Sequence, residues 1–304
     1  MFSFIKWFGS LMENAKKKKG LWFTLLTTFS LIGIFISLYF VNFLVSDVAK
    51  KTFENQKNHY VLSLKNQINM QNEYTESLAI MMSKNADIAN YFFSNDFNAT
   101  AKIKAKSDQI ANSINTILGK KQLSISYQRV EKKRKKVGIH IGKKGALFQG
   151  LVPMLDNNGT MTAVVIDKRI DTLVDHYKKE GKVFAFLLNE SGIHKVDRAL
   201  KKHAYSVYHE KYYLHIERYD KSFTEALKGV DFSGKLEENG YFKDGKYFYV
   251  YEKMYDIEGD YIGLAFVGEQ IKDDNSFVNL VKNLVNSVTL VALGLIVSML
   301  LFLF

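Results

Sequence analysis

The sequence predicts an α+β protein in which two charge-free helices flank a central portion of long helices and antiparallel sheets. Three observations carry this. Leu21–Val45 and Leu284–Phe304 contain no charged residue. At about 1.5 Å per residue each is long enough to cross a hydrocarbon core of about 30 Å. From 46 to 93 the chain has neither proline nor glycine, and apolar residues recur at helical spacing. From Leu123 onward the period changes to two, with turn-forming residues between the runs.

Each element follows from its residues. Leu21–Val45 reads as an uncleaved anchor, because a signal peptide's apolar run is about 7–15 residues long and ends in small residues, whereas this one leads into Ser46-Asp47-Val48-Ala49. Lys16–Lys19 precede it directly and Asp47 follows, so the lysines are expected on the cytoplasmic side. The reading is therefore a basic cytoplasmic segment over 1–20, a first span over 21–45, a second over 277–304, and an extracytoplasmic middle. The formal charge is +11, and of 42 basic residues only Arg129, Arg134, Arg169, Arg198 and Arg218 are arginine. A basic portion facing away from the cytoplasm argues against nucleic acid and leaves an acidic small ligand or an anionic envelope polymer. With no cysteine, disulfides, thiolate metal sites and cysteine nucleophiles are excluded.

The long helix is expected over Val48–Phe93, with Phe53, Tyr60, Leu64, Ile68, Leu78 and Met82 forming an apolar stripe. That stripe holds more apolar residues than one helix on a sheet requires, which suggests a homodimer. Ser94-Asn95-Asp96 is a break with N-cap residues. A second helix follows over Thr100–Leu118, with Ile103, Ile110, Ile114 and Ile117 on one face. Leu123, Ile125 and Tyr127 then alternate, as do Val137, Ile139 and Ile141. Gly145–Asp156 reads as a more buried strand, Asp156–Gly159 as a hairpin turn, and Met161–Ile166 as the return of an antiparallel meander. Asp167 is expected to open a second module: a helix carrying Ile170, Leu173, Val174 and Tyr177, then a strand over Val183–Leu188. Residues 193–238 give little beyond crowded tyrosines (Tyr205, Tyr208, Tyr212, Tyr213) and a short helix near Phe223–Val230. Turns at Asp244-Gly245 and Glu258–Asp260 separate three closing antiparallel strands that end at Val267.

Two local patterns support a resemblance. Gly150-LVPMLDNNG-Thr160 followed by AVVID, and Tyr247-FYVYEKMYDIEGDYIGLAFVGE-Gln270, resemble the closing hairpins of the two modules of double Cache, PAS-like sensor domains in bacterial chemotaxis receptors. The likeness covers roughly residues 46–304. The chain departs from the pattern at Met161 and Ala163, where the family often has glycine, and at Gln149, where a basic residue is often found. A single Cache module with extra helices is the alternative to modules at 46–166 and 167–276. The resemblance implies a two-pass protein of the bacterial inner membrane. Family members usually continue into a HAMP segment and a signalling bundle, which this sequence does not contain, so output is expected through a separate membrane partner.

The histidines lack ligand spacing, no H-E-x-x-H occurs, and no glycine-rich loop links a strand to a helix. Neither a catalytic site, a metal nor a cofactor is expected, and the reading is not that of an enzyme. In the resembling family the first module's sheet forms a ligand cup. Here that implies Tyr127, Arg129, His140, Gln149 and Asp167 as ligand-binding candidates. Arg129 is expected to clamp a carboxylate with two parallel hydrogen bonds and Asp167 to hold an amine, which fits an amino acid or a carboxylate. Lys132–Lys136, with Lys143 and Lys144, reads as a solvated hairpin tip or as a contact for anionic envelope polymer or a lipid surface. Two functions follow: chemotaxis-like sensing of a small metabolite through a partner, or assembly of an envelope complex in which the Cache-like module is an interaction domain.

Overall fold

The computed structural model describes residues 19–88, 98–118, 122–131, 134–155, 161–208, 211–215, 218–230, 240–243, 246–271, 283, 285–290 and 292–294. The chain divides into two compact units, one of 57–271 and one of 1–56 with 272–304. The break at Ser94–Asp96 and the turns at Asp156–Gly159 and Asp244-Gly245 lie outside the described residues.

Helix α1, Lys19–Ser83, is one uninterrupted helix. In the smaller unit its Phe35, Ile36, Tyr39, Phe40 and Phe43 are each at least 59% exposed. Among the described residues no helix is long and apolar enough to cross a membrane. The side chains of 19–26 and most of 284–304, both parts of the expected spans, lie outside those residues.

In the larger unit α1 buries Tyr60, Leu64, Leu78, Ala79 and Met82. It ends at Ser83 rather than near Phe93 because Asn85 caps a new turn: its Oδ1 accepts from the amides of Asp87 at 3.0 Å and Ile88 at 3.2 Å. Helix α2, Ala99–Leu118, packs Ile103 and Ala111 inward, while Ile117, expected on the same face, is 86% exposed. Buried Asn115 fastens α2 to the first strand. Its amide donates to the Leu123 carbonyl at 2.8 Å, and its Oδ1 accepts from the amides of Gln122 and Leu123, both at 2.9 Å.

Sheet A comprises β1 (Leu123–Arg129), β2 (Lys136–Gly142), β3 (Gly145–Leu155) and β4 (Met161–Arg169), in spatial order β1-β4-β3-β2. The expected meander is thus β2-β3-β4, with β1 crossing over to pair with β4. One face packs on both helices: Leu123, Ile125, Val164 and Ile166 join Leu78, Met82 and Ala111 in a single core cluster. Gly150 permits the close fit, since a Cβ there would stand 2.5 Å from the Thr75 carbonyl oxygen.

Sheet B follows α3 (Thr172–Lys179). It is built from β5 (Lys182–Asn189), β6 (Tyr205–Tyr208), β7 (Tyr212–His215), β8 (Tyr241–Lys243), β9 (Tyr247–Tyr255) and β10 (Tyr261–Gln270), all antiparallel, in order β6-β7-β5-β10-β9-β8. Helices α4 (Glu190–His194), α5 (Arg198–Ala204) and α6 (Lys221–Lys228) lie between its strands in sequence. The crowded tyrosines form the β6–β7 hairpin, where Tyr208 pairs with Tyr212 and Val207 with Tyr213. Helix α1 meets this sheet through Tyr60 against Phe248, with rings 5.9 Å apart, and through a Lys65–Glu252 ion pair at 2.9 Å. Phe223 of α6 meets Tyr247 and Tyr249 at 5.4 and 5.8 Å, so aromatic rings fill the space between that helix and the sheet. Of the stripe from Phe53 to Met82, read as an interface between two copies, Tyr60 meets sheet B and Leu78 and Met82 join the sheet A core.

Candidate functional site

Successive residues of a strand point to opposite faces, so pairing register decides which side chains meet. On sheet A, Gln149 pairs with Asp167 and Gly138, and Asp167 with Ser124. The next row is His140, Leu147 and Arg169; the row on the other side is Lys136, Leu151, Val165 and Ser126. These rows share the face turned away from α1 and α2. Ser124, Ser126, His140, Leu147, Gln149, Val165, Asp167 and Arg169 of this face line a cleft of about 620 Å³, together with Leu200 of α5 and Arg218.

Of the five residues singled out in the sequence, the structure brings three together here: His140, Gln149 and Asp167. Tyr127 lies on the helix-facing side, where its hydroxyl is 2.7 Å from that of Ser107. Arg129, at the exposed end of β1, borders a separate cleft with Arg134, Lys136 and Glu258. Arg129 and Asp167 therefore do not share a cup.

Gln149 is 9% exposed and donates its Nε2 to Asp167 Oδ1 at 2.9 Å. Burial pushes the Asp167 carboxyl above the ordinary aspartate value; the Gln149 hydrogen bond and the charges of His140 and Lys144 act the other way. Besides Asp167 and His140, the charged side chains of the lining are all cationic. Lys143 and Lys144 are exposed at the β2–β3 turn, and among the described residues their ammonium groups face no carboxylate closely enough for an ion pair. Arg169 and Arg218 stand at the floor of the same end, and both turn to Asp171 just outside the lining. Arg169 donates Nε to Asp171 Oδ1 at 3.0 Å and Nη2 to Oδ2, while Arg218 Nε lies 3.8 Å from Oδ2.

Beside the two guanidinium groups lies His215, 6% exposed, its ring 5.1 Å from that of Tyr205. Burial, and then the charges of Arg218 and Arg169, lower its pKa to about 4. The charges of Arg218 and Arg169 thus oppose a further positive charge at His215.

The second sheet's chain forms part of the cup. Arg218 Nη2 donates to the Lys144 carbonyl at 3.3 Å and the Asp197 amide to the Lys143 carbonyl at 3.0 Å, clamping the β2–β3 turn. Arg218 lies outside the strands of sheet A and far along the chain, so strand alternation gave no sign of it. Arg169 was overlooked for a different reason: β4 runs on to Arg169, carrying Asp167 and Arg169 on the cup face and Lys168 on the other, where Lys168 Nζ sits 4.5 Å from the centre of the Tyr74 ring. Among the described residues no three His, Cys, Asp or Glu side chains cluster as metal ligands.

No protein-family model and no curated protein matches the chain. A solved structure described as the ligand binding domain of Mlp24 with asparagine is similar over 82% of this chain and 98% of its own, at 12% identity and a TM-score of 0.25. A likeness of that size carries no argument about fold, ligand or site.

Proposed function

We propose that the chain is a two-pass protein of a bacterial inner membrane whose extracytoplasmic portion senses a small anionic or zwitterionic metabolite in the sheet A cup and signals through a membrane partner. The observation that carries this reading is the cup itself. Polar Gln149, Asp167 and His140 and four basic side chains converge on a 620 Å³ cleft at the face of a packed sheet. That combination of a formed concavity and a few convergent polar groups is what small-molecule sites share. Membrane anchoring is supported by the charge-free runs Leu21–Val45 and Leu284–Phe304, by Lys16–Lys19, and by the bare aromatic and aliphatic side chains of Phe35 to Phe43.

The test is a thermal-shift screen of the full chain in detergent micelles against small carboxylates and amino acids. A ligand at a hundred times its dissociation constant adds about 2.7 kcal/mol of stability. The shift produced by any hit should shrink in Gln149→Ala and persist in Arg129→Ala. A screen without hits, together with specific capture of other envelope proteins, would support the assembly reading instead.

A further inference from the structure

Resting on the reading of the cup as a ligand site, we infer that its ligand is a small organic dianion, a dicarboxylate or a phosphate monoester, seated between the Lys143–Lys144 turn and the Arg169–Arg218 pair, and not a zwitterion. The argument is the charge inventory of the lining. Lys143, Lys144, Arg169 and Arg218 border the cleft, and Asp167 is the one carboxylate among its described lining residues. Behind them a single further carboxylate, Asp171, answers both guanidinium groups, at 3.0 Å from Arg169 and 3.8 Å from Arg218. Among the described lining residues taken together with Asp171, two positive charges remain unbalanced, and a ligand with two negative charges matches them.

Geometry adds to charge. Arg218 is 11% exposed at its side chain, and among the described residues its Nε has no hydrogen-bond partner, although a carboxylate oxygen lies 3.8 Å away. A buried donor without an acceptor is costly, and the guanidinium that carries it lines the cleft. Arginine suits this task because its planar fork matches carboxylate and phosphate oxygens. Lys143 and Lys144 stand at the exposed rim, where they can meet the second negative group. Asp167 lies one strand row from Arg169, next to His140 and Lys144, and is already engaged by Gln149. A zwitterion would place one ammonium against this single carboxylate and add no net negative charge to a cationic cup.

The two ligand classes respond oppositely to one substitution. Asp167→Asn keeps an acceptor for Gln149 and removes one negative charge. It should therefore tighten a dianion by relieving repulsion, and weaken a ligand whose amine it holds. The experiment is isothermal titration of the full chain in detergent micelles with succinate, glycerol 3-phosphate and asparagine, the first two separating dicarboxylate from phosphate. We expect one of the dianions to bind about tenfold or more tightly than asparagine, a margin of about 1.4 kcal/mol. Asp167→Asn should lower its dissociation constant, and Lys143→Gln and Arg218→Gln should raise it. Lys143, on the exposed turn, keeps the test open if the Arg218 variant does not fold. Asparagine binding more tightly, and weakened by Asp167→Asn, overturns the dianion while leaving the cup as the site. Failure of both dianions to bind at millimolar concentration also overturns it. Dianion binding that is indifferent to Asp167→Asn, Lys143→Gln and a Ser126→Trp plug overturns the cup as well.

Discussion

At the scale of single residues, polar side chains that organise backbone are the sharpest predictors of stability. Asp256 accepts from the amides of Glu258 at 3.0 Å and Asp260 at 2.9 Å and pairs with Lys195 at 3.0 Å. Burial works to raise its carboxyl, but Lys195 and the two amides outweigh it and hold the pKa below the ordinary value. Its contribution is therefore present above the unfolded-state pKa and is lost as pH falls through the lower, folded one. Asp256→Ala should cost about 1–3 kcal/mol, because it leaves two amides unmatched; a drop in melting temperature at neutral pH that Asp256→Asn partly restores is the check. His215 titrates in a different window. Its folded pKa of about 4 lies below the ordinary 6.5, so the unfolded chain binds the proton more readily and stability falls as pH drops from 6.5 towards 4. The loss is on the order of 1–3 kcal/mol after allowance for solvent screening. Melting curves at pH 7 and near pH 4.5 should differ less for His215→Phe than for the parent; an unchanged difference would mean that other groups set the acid response.

Among the elements, α1 carries the most consequence. Its stripe was legible because Tyr60, Leu64, Leu78 and Met82 keep helical spacing; what they pack against was not, because periodicity marks a buried face without naming the partner. Leu64 is fully buried and Leu62 is 58% exposed, so Leu64→Ala should cost about 2–5 kcal/mol and Leu62→Ala about 0.5 kcal/mol or less. Equal losses would contradict this orientation of the helix. Gly150→Ala should also destabilise, since its new methyl would meet the Thr75 carbonyl, which belongs to helix backbone and cannot rotate away. Trimming the side chain with Thr75→Ala should not rescue it, because the obstacle is main chain and not the threonine side chain; a rescue would contradict the steric cause. Strands were legible where one face is apolar, as along β1, and illegible where charge sits on both faces, as over Asp167 to Arg169. The hairpin of β6 and β7 escaped because each of its strands spans only four residues and tyrosines occupy both faces.

At the scale of the whole molecule, the α+β character and two antiparallel sheets were readable from the change of period, but the crossover of β1 to β4 was not, since strand order is a property of long-range pairing. The same limit governed the cup: Asp167, Gln149 and His140 were reached through the resemblance of the first sheet, whereas Arg218 joins them only through the fold. The membrane reading makes its own prediction at this scale. A reporter active only outside the cytoplasm should be active when inserted near Asn158 and inactive when fused at Met1; the opposite pattern would reverse the orientation drawn from Lys16–Lys19. The clamp on the β2–β3 turn has a further meaning. Arg218 both walls the cup and grips the Lys144 carbonyl, and the Asp197 amide grips Lys143. On the proposed reading of the cup as a ligand site, docking of that turn and occupancy of the cup are thermodynamically linked, and the linkage is reciprocal: whatever a ligand adds to the grip, the grip adds to affinity. The Asp197 amide would report it, exchanging its hydrogen more slowly in saturated protein than in empty protein.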